Sequence, residues 1–393
     1  MNPDAIVVGG GIAGTTIAWE LARRGTQVTL FEQAVLAAGA SGRNTGTLLH
    51  QVEPIVATML RESEARYREL EGGDVDFRWT PRDQLLVARD ASQLRVVEQK
   101  AAVIAGQGVA TESLSGDDLR AAFPSFSDDV VGGTVLAGAS TVEAEPATRA
   151  FAEAARSAGA TIRTGTRVSQ VLIADGRVSG VLTDDGPVAA DTVIVATGPW
   201  LTELLPLAAM KPGRGWLMRT ARLDFDVPWI VEEVSWPDQA VLGAAASQSS
   251  LADLAAGRVD EAVGECFLLC PLPDGDAFVG ASLSTSLRDA VEGIDAPQRM
   301  AARALEVAPG LAESVGVTRA WWGLRPMTPD GLPLAGPTAT EGLLIHGGHA
   351  SLGMQAAPAT AAWLAGWMHG EPMPAELDQL RPDRFTPTTR STR

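Results

Sequence analysis

The chain has 393 residues, of which 46% are hydrophobic and 20% are charged, and this balance excludes a disordered protein. One ordinary hydrophobic core serves about 100 to 200 residues, so we expect two structural units. The formal net charge of −17 opposes binding to nucleic acid and to anionic membrane surfaces. A small molecule is therefore the expected ligand, and an anionic one would need a local cation.

The cysteines and the apolar segments indicate where the protein works. Cys266 and Cys270 are too few for a disulfide framework, and neither has zinc ligands nearby, so we expect ordinary buried thiols in a reducing compartment. The amino terminus has no basic region before its apolar run, and no uninterrupted apolar stretch reaches the roughly 18 residues of a membrane span. We therefore expect a cytoplasmic protein with no integral membrane segment.

The amino-terminal segment predicts a βαβ unit. Ala5 to Gly9 is a short, wholly apolar run, which is typical of a strand buried on both faces of a parallel sheet. Gly14 to Arg24 has the composition of a helix that ends at Gly25, and Gln27 to Phe31 has the pattern of a second strand.

A glycine motif joins the first strand to the helix. Gly9, Gly11 and Gly14 form G-x-G-x-x-G, in which the glycines allow a tight turn, a close approach of a pyrophosphate and close helix packing. Glu32 ends the second strand, where its carboxylate can accept hydrogen bonds from a ribose diol. A turn that serves packing alone is the alternative, but the complete strand, helix and acidic residue favour dinucleotide binding.

The later segments alternate helices and strands. The predicted helices are Pro54 to Leu70, Ser92 to Ala105, Asp117 to Ala122, Pro146 to Ala158 and Gln298 to Val307. The predicted strands are residues 83 to 88, a β-meander whose turns are Asp175-Gly176 and Asp185-Gly186, and Thr192 to Ala196. This order indicates two units whose segments are interleaved along the chain.

Five segments together resemble a known family. They are IVVGGGIAG at residues 6–14, GASGRNTG at 39–46, ATGPW at 196–200, GLRPMTPDGLPLAGP at 323–337 and GGHASLGMQAAPAT at 347–360. In this order they are similar to the D-amino acid oxidase superfamily of FAD-dependent oxidoreductases, which includes glycine and sarcosine oxidases and D-amino acid dehydrogenases. The five segments span about nine tenths of the chain.

The resemblance implies an α/β fold with a Rossmann-like FAD-binding domain and an interleaved antiparallel-sheet substrate domain. We expect the first domain to comprise residues 1–78, 142–206 and 324–378, and the second to comprise residues 79–141 and 207–323. The implied activity is that of a flavoprotein that oxidises the carbon–nitrogen bond of a small amino acid. The substrate would be a D-amino acid, glycine or sarcosine, or a proline derivative, and the product an imine formed by hydride transfer to flavin N5.

The resemblance also implies where FAD binds. The implied cofactor-binding residues are Gly9, Gly11, Ile12, Ala13, Gly14, Glu32, Gln33, Ser41, Gly42, Arg43, Asn44, Thr45, Gly46, Thr47, Val168, Thr197, Gly198, Trp200, Gly348, His349, Ala350, Ser351, Leu352, Gly353 and Met354. Within this set Arg43 would neutralise phosphate, Asn44 would hydrogen-bond the cofactor and Val168 would contact adenine. We expect non-covalent FAD, because neither cysteine lies near the Arg325 segment.

Arg325 is the implied substrate-binding residue, because a planar guanidinium can hold both oxygens of a carboxylate. A buried structural ion pair is the alternative for this side chain. His50 and Trp322 are further catalytic candidates that could line the substrate pocket, although both could be purely structural. Tyr67 is the only tyrosine and lies in a predicted surface helix, so the tyrosine contact used by several amino acid oxidases is expected to be missing.

Other functions stay open at this level. The chain could be the flavin subunit of a heteromeric amino acid dehydrogenase that passes electrons to a partner, or a flavin-binding protein without catalysis. Arg325 argues against loss of catalysis, and the second glycine-rich turn at residues 347–355 argues against a nicotinamide enzyme. The expected partners are an amino acid substrate and either oxygen or an electron-acceptor protein.

Overall fold

The computed structural model describes residues 2–205, 210–234, 263–284, 295–314 and 316–385. The strands are β1 Ala5–Val8, β2 Val28–Phe31, β3 Thr47–Leu48, β4 Thr80–Pro81, β5 Gln84–Ala88, β6 Thr111–Ser115, β7 Gly132–Leu136, β8 Ser140–Thr141, β9 Thr161–Arg163, β10 Val168–Ala174, β11 Arg177–Thr183, β12 Gly186–Ala189, β13 Thr192–Val195, β14 Lys211–Thr220, β15 Ile230–Glu233, β16 Val263–Pro271, β17 Ala277–Ser284, β18 Val317–Met327, β19 Leu334–Pro337 and β20 Leu343–Gly347.

The helices follow the same order along the described chain. They are α1 Ile12–Ala22, α2 Pro54–Leu70, α3 Ala91–Gly106, α4 Gly116–Ala122, α5 Ala144–Ser157, α6 Leu201–Leu204, α7 Ala296–Val307, α8 Leu311–Ser314, α9 Gly353–Met368 and α10 Ala375–Asp378. Short 3-10 helices lie at Ala40–Gly42, Gly198–Trp200 and Pro382–Phe385. None of the described helices is long and apolar enough to cross a membrane.

A six-stranded sheet forms the centre of the first unit, in the order β19-β20-β13-β1-β2-β9. Strand β1 lies between β13 and β2 and is parallel to both, and each of its residues is buried, as its apolar run predicts. Helices α1, α5 and α9 pack together against this sheet through Ile17, Phe151 and Leu364. The predicted βαβ unit is confirmed, and its turn lies at the carboxyl edge of the sheet.

An eight-stranded sheet forms the second unit, in the order β18-β14-β17-β16-β15-β5-β7-β6. Its pairs are antiparallel except for β15 and β5, which run parallel. Helix α7 packs on one face of the sheet, where Met300 belongs to the same buried cluster as Phe267 and Val279. The predicted fold class, a parallel sheet with interleaved antiparallel structure, is confirmed.

One strand departs from the predicted division of the chain. Strand β18 runs from Val317 to Met327, across the expected boundary between residues 323 and 324. Arg325 therefore lies on the eight-stranded sheet and not on the six-stranded sheet. The expected second segment of the substrate domain, residues 207–323, also includes residues outside the described ranges.

Tyr67 is in the core, so the expectation that it lies on a surface helix is wrong. Its side chain is buried between α2 and α9, and burial raises the pKa of its hydroxyl. The hydroxyl donates to the carbonyl of Met354 at 2.9 Å. Pro358, four residues later, has no N–H to donate to that carbonyl, so Tyr67 replaces the missing helical hydrogen bond.

Ser63 accepts a hydrogen bond from the residue that follows Pro358 in α9. The N–H of Ala359 donates to the Ser63 hydroxyl at 3.1 Å. Because α2 supplies both Tyr67 and Ser63, the proline is accommodated only when α2 and α9 are packed together. This interaction fixes the first two turns of α9, whose amino-terminal end faces the site described below.

Tyr67→Phe should lower the free energy of unfolding by about 1–3 kcal/mol, because the buried Met354 carbonyl then has no donor. The measurement is equilibrium unfolding in denaturant. In a Pro358→Ala background the new N–H can donate to Met354, so the effect of Tyr67→Phe should fall by at least about half. Equal effects in the two backgrounds would show that the hydroxyl does not replace the proline's missing bond.

Candidate active site

One cavity of about 880 Å³ lies at the carboxyl ends of the parallel strands and extends to the eight-stranded sheet. Its volume is at the upper end of the range of roughly 300–1,000 Å³ found for small-molecule sites. The amino-terminal glycine turn lines one end, and Arg325 lines the cavity where it meets the eight-stranded sheet. The two glycine-rich turns and the substrate-binding candidate thus share one space.

The amino-terminal turn requires glycine because backbone meets backbone there. Gly9 has φ +114°, and a Cβ on it would lie 2.5 Å from the carbonyl oxygen of Ala196 on the neighbouring segment. A Cβ on Gly14 would lie 1.8 Å from the carbonyl oxygen of Gly9. Helix α1 therefore starts directly over the turn, with no acidic residue in its first turn to compete with a phosphate.

Glu32 supports this turn as well as lining the cavity. Its Oε2 accepts from the N–H of Gly10 at 2.7 Å, and its Oε1 accepts from the N–H of Ala34 at 2.8 Å. A carboxylate has about four acceptor positions, so these two bonds leave capacity for hydroxyl donors. This geometry supports the prediction that Glu32 binds a ribose diol.

The loop at residues 39–47 crosses the helix amino terminus and is held largely by its own side chains. Ser41 Oγ accepts from the N–H of Ile12 at 2.9 Å. Asn44 donates to the carbonyl of Ala40 at 2.9 Å and accepts from the N–H of Gly46 at 2.7 Å. Asn44 lines the cavity, but its amide is engaged in shaping the loop, which sequence reasoning had not anticipated.

Arg43 is exposed and connects this loop to strand β18. Its Nη1 donates to the carbonyl of Trp322 at 3.3 Å, and the indole N–H of Trp321 donates to the carbonyl of Arg43 at 3.1 Å. Arg43 lines the cavity, as a phosphate-neutralising residue would. These two contacts also hold the loop at residues 39–47 against strand β18, which carries Arg325.

The second glycine-rich turn lies between β20 and α9. Gly348 has φ +65°, and a Cβ on it would lie 2.9 Å from Thr328 Cγ2. The N–H of Ala350 donates to the carbonyl of Pro326 at 3.1 Å, so this turn is bound to the residue after Arg325. Helix α9 begins at Gly353 without a side-chain cap, and its positive end favours negative charge in the cavity.

Arg325 is partly buried and lines the cavity. Its Nη1 donates to the carbonyl of Ser282 at 2.9 Å, and it forms no ion pair with a carboxylate among the described residues. A Cβ on Gly215 would lie 1.9 Å from the same Nη1, so glycine at that position makes room for the guanidinium. Burial lowers the pKa of Arg325, yet an arginine stays cationic at neutral pH.

Five uncharged side chains of β14, β16 and β17 line the cavity on the face of the sheet that carries Arg325. They are Leu217, Cys266, Leu268, Ala281 and Leu283. The expectation that Cys266 is an ordinary buried thiol is wrong, because this residue is partly exposed and lines the cavity. Cys270 is fully buried, and burial raises the pKa of its thiol to about 12, so it is unreactive.

His50 and Trp322 do not line this cavity within the described residues. His50 Nε2 lies 2.9 Å from the carbonyl of Ala137, and its backbone N–H donates to Gln84, while burial lowers the pKa of the ring. The Trp322 ring contacts the Arg214 guanidinium at 5.3 Å. The predictions of a direct catalytic role for either residue therefore gain no support from the geometry.

The other sequence candidates divide into two groups. Gly14, Gly42 and Gly46 do not line the cavity in the described part of the chain, and each allows a close backbone contact instead. The remaining cofactor candidates line it: Gly9, Gly11, Ile12, Ala13, Glu32, Gln33, Ser41, Arg43, Asn44, Thr45, Thr47, Val168, Thr197, Gly198, Trp200, Gly348, His349, Ala350, Ser351, Leu352, Gly353 and Met354.

Two buried polar atoms in the lining have no hydrogen-bond partner among the described residues. They are Thr197 Oγ1 and Gln355 Nε2. Gln355 is 4% exposed, and its Oε1 accepts from the N–H of Leu49 at 3.2 Å, which fixes the side chain. An unpaired buried donor costs about 1–3 kcal/mol, so both atoms indicate a polar ligand. Gln355 is the last residue of the predicted second glycine-rich turn, but sequence reasoning did not include it among the cofactor-binding residues.

A family model described as FAD dependent oxidoreductase matches residues 4–367. The chain belongs to this family of FAD-dependent oxidoreductases. The resemblance to the D-amino acid oxidase superfamily is thereby confirmed, and so is FAD as the cofactor. The glycine turns and the two unpaired polar atoms fit that cofactor.

Individual relatives agree with this assignment. Bifunctional protein ThiO/ThiG of Trichormus variabilis is 27% identical over 404 residues, which cover 98% of this chain and 55% of that protein. D-amino acid dehydrogenase of Cereibacter sphaeroides is 25% identical, covering 99% of this chain and 97% of that protein. Glycine oxidase from Bacillus cereus shares the fold, with a TM-score of 0.81 at 24% identity over 96% of this chain and 98% of that chain. The chain spans about half the length of the bifunctional relatives it matches.

Gln355→Leu should weaken FAD binding about tenfold, because one hydrogen bond to the cofactor is worth about 1.4 kcal/mol. Titration of the apoprotein with FAD gives the dissociation constant. Gln107→Leu is the matched control, since Gln107 donates to Val52 outside the cavity lining and its loss should leave FAD affinity unchanged. An unchanged affinity in Gln355→Leu would show that Nε2 does not contact FAD.

Acid precipitation should release the FAD of this protein into the supernatant. Cys266 lines the cavity from β16, but no cysteine lies in the Arg325 segment of β18, so we still expect no thioether to the flavin. The yellow colour of the pellet and the supernatant is the measurement, with Cys266→Ala as the comparison. Flavin that stays on the wild-type polypeptide and is released from Cys266→Ala would prove covalent attachment through this thiol.

Proposed function

We propose that this chain oxidises the carbon–nitrogen bond of a small amino acid to the corresponding imine, which then hydrolyses in water. The substrate class is a D-amino acid, glycine or sarcosine, or a proline derivative. The observation that carries the proposal is Arg325, a cavity-lining guanidinium with one carbonyl partner and no ion pair among the described residues. The relatives named D-amino acid dehydrogenase and glycine oxidase support the same class.

Arg325 would hold the substrate carboxylate. Its Nη1 is fixed by the Ser282 carbonyl, and the remaining guanidinium donors are available for a carboxylate, which can be held by two parallel hydrogen bonds. The net charge of −17 opposes entry of an anion, and this local cation offsets it. Holding the carboxylate orients the α-carbon, and such orientation is a large part of catalysis in sites of this kind.

The chemistry that bound FAD would supply is acceptance of a hydride from the substrate α-carbon. The protein's contribution is orientation and charge control. The amino end of α9 would stabilise negative charge on the flavin ring, while Glu32 and the turn at Gly9 to Gly14 would bind the adenosine and phosphate end. No general base is needed once the substrate amine is bound in its neutral form.

The uncharged wall favours a small, neutral substrate. Leu217, Leu268 and Leu283 are apolar, and Ala281 contributes only a methyl group. Since burial of a second charge beside them would be costly, we expect acidic amino acids to be poor substrates. The cavity also contains Glu232, whose carboxylate accepts from Gln84 at 2.9 Å.

Anaerobic reduction of the bound flavin tests this function directly. Glycine, sarcosine, proline derivatives and a panel of D-amino acids are added separately, and bleaching of the visible flavin spectrum is followed. Rapid bleaching by a neutral amino acid is the expected result, and no bleaching by any member would contradict the proposed substrate class. Admitting oxygen afterwards separates an oxidase from a dehydrogenase that passes electrons to a partner.

Arg325→Ala should retain FAD and slow reduction by substrate at least about a hundredfold, with Arg325→Lys between this variant and the wild type. Loss of a buried charged partner costs about 2–5 kcal/mol, and 1.4 kcal/mol corresponds to roughly a factor of ten. Lysine keeps the charge but loses the planar pair of donors. Stopped-flow reduction and FAD content are the measurements.

Arg319→Ala is the matched control, because Arg319 lies on the same strand, is exposed and stacks on Trp321 with 5.0 Å from its Cζ to the ring centroid. Its reduction rate should equal that of the wild type. A rate near wild type in Arg325→Ala would remove the main support for an amino acid substrate.

A further inference from the structure

A buried chain of three side chains connects α1, the second glycine-rich turn and α9. His346 Nδ1 lies 2.9 Å from the carbonyl oxygen of Ala13, and its Nε2 lies 2.9 Å from Thr360 Oγ1. Thr360 Oγ1 also lies 3.1 Å from His349 Nε2. Thr360 and His346 are fully buried, and His349 is 4% exposed while lining the cavity. We call these three side chains the His346–Thr360–His349 relay.

The protons of His346 follow from its partners. The Ala13 carbonyl can only accept, so Nδ1 must carry a hydrogen. The ring has no carboxylate within hydrogen-bond reach among the described residues, and burial lowers its pKa to about 4, so it is neutral near pH 7. Its Nε2 is then an acceptor, and Thr360 is the group that donates to it.

The position of the Thr360 hydroxyl proton determines the tautomer of His349. A hydroxyl has one hydrogen, and if it is given to His346 the oxygen can only accept from His349 Nε2. Thr360 Oγ1 also lies 2.9 Å from the Ala356 carbonyl and 3.3 Å from the Ala357 carbonyl, but donation to either would leave His346 Nε2 buried without a donor. His349 is therefore protonated at Nε2, and its Nδ1 is a free acceptor with no partner among the described residues.

We propose that Thr360 is a positioning residue whose hydroxyl fixes the two histidines in opposite tautomers, so that His349 presents an unprotonated Nδ1 to the FAD cavity. The ligand of that nitrogen is an O–H or N–H donor of the cofactor. The relay keeps the ring neutral, so the positive potential at the flavin comes from the α9 helix end and not from a buried imidazolium. This inference rests on the proposed position of FAD along the turn, but not on the substrate.

Nitrogen-15 NMR of histidine-labelled protein tests the proton assignment in the wild type. His50→Gln and His369→Gln remove the other two histidine signals without touching the relay. The expected result at neutral pH is one ring protonated at Nδ1, assigned to His346, and one protonated at Nε2, assigned to His349. The same tautomer in both rings, or an imidazolium in either, would overturn the proposal.

Thr360 variants test whether the hydroxyl acts through the histidines. In Thr360→Val the NMR pattern should lose the fixed His349 tautomer, and the FAD dissociation constant should rise about tenfold. Thr360→Ser retains the hydroxyl and should restore both. Thr148→Val is the control, because Thr148 is an equally buried helical threonine of α5 that bonds the Ala144 carbonyl at 2.9 Å.

These outcomes are separable from those of the substrate proposal. Wild-type FAD affinity and a wild-type His349 tautomer in Thr360→Val would reject the relay even if Arg325 binds the substrate. Equal weakening in Thr148→Val and Thr360→Val would reduce the effect to general destabilisation and would also reject it. Failure of the Arg325 prediction would leave the tautomer measurement unaffected.

Discussion

The site depends on the approach of backbone to backbone at the carboxyl edge of the parallel sheet. Gly9 lies against the Ala196 carbonyl, and Gly14 lies against the carbonyl of Gly9, at distances where no Cβ can be placed. A side chain at either position would collide with these carbonyls and separate α1 from the strands. The shape of the cavity therefore depends mainly on glycines, which have no side chain, and less on the charged groups.

Helix α9 begins at the second glycine-rich turn of the site and contains an internal proline. Pro358 leaves the Met354 carbonyl without its helical donor, and α2 supplies Tyr67 and Ser63 to satisfy the exposed groups. The same helix positions Gln355 and Thr360 toward the cavity and the histidines. Tyr67 and Met354 are more than 280 residues apart in sequence but form a hydrogen bond in the core. This bond helps to fix the start of α9, which follows the second glycine-rich turn.

Electrostatics acts locally in a protein whose overall field has the wrong sign for an anionic substrate. The formal net charge is −17, while Arg325 lies in the cavity with a carbonyl as its described partner. Because a charge in a partly buried cavity is screened far less than one at the surface, a single guanidinium can dominate the potential felt by a bound carboxylate. The glycine at position 215 leaves the space in which this guanidinium lies.

The amino-acid sequence by itself determined the βαβ unit, the order of the family motifs and the identity of the cofactor. Each single motif is formed by residues that are close together in the chain. Only the tertiary structure brought Cys266 and Arg325 to the same cavity, because these residues lie on strands separated in the sheet by β14 and β17, which local periodicity does not reveal. It likewise placed Tyr67 in the core, since a helix with charged residues on one face gives no sign of an unsatisfied carbonyl on another helix. The tertiary structure alone also brought the two buried histidines to one threonine hydroxyl, since His346, His349 and Thr360 lie on a strand, a turn and a helix.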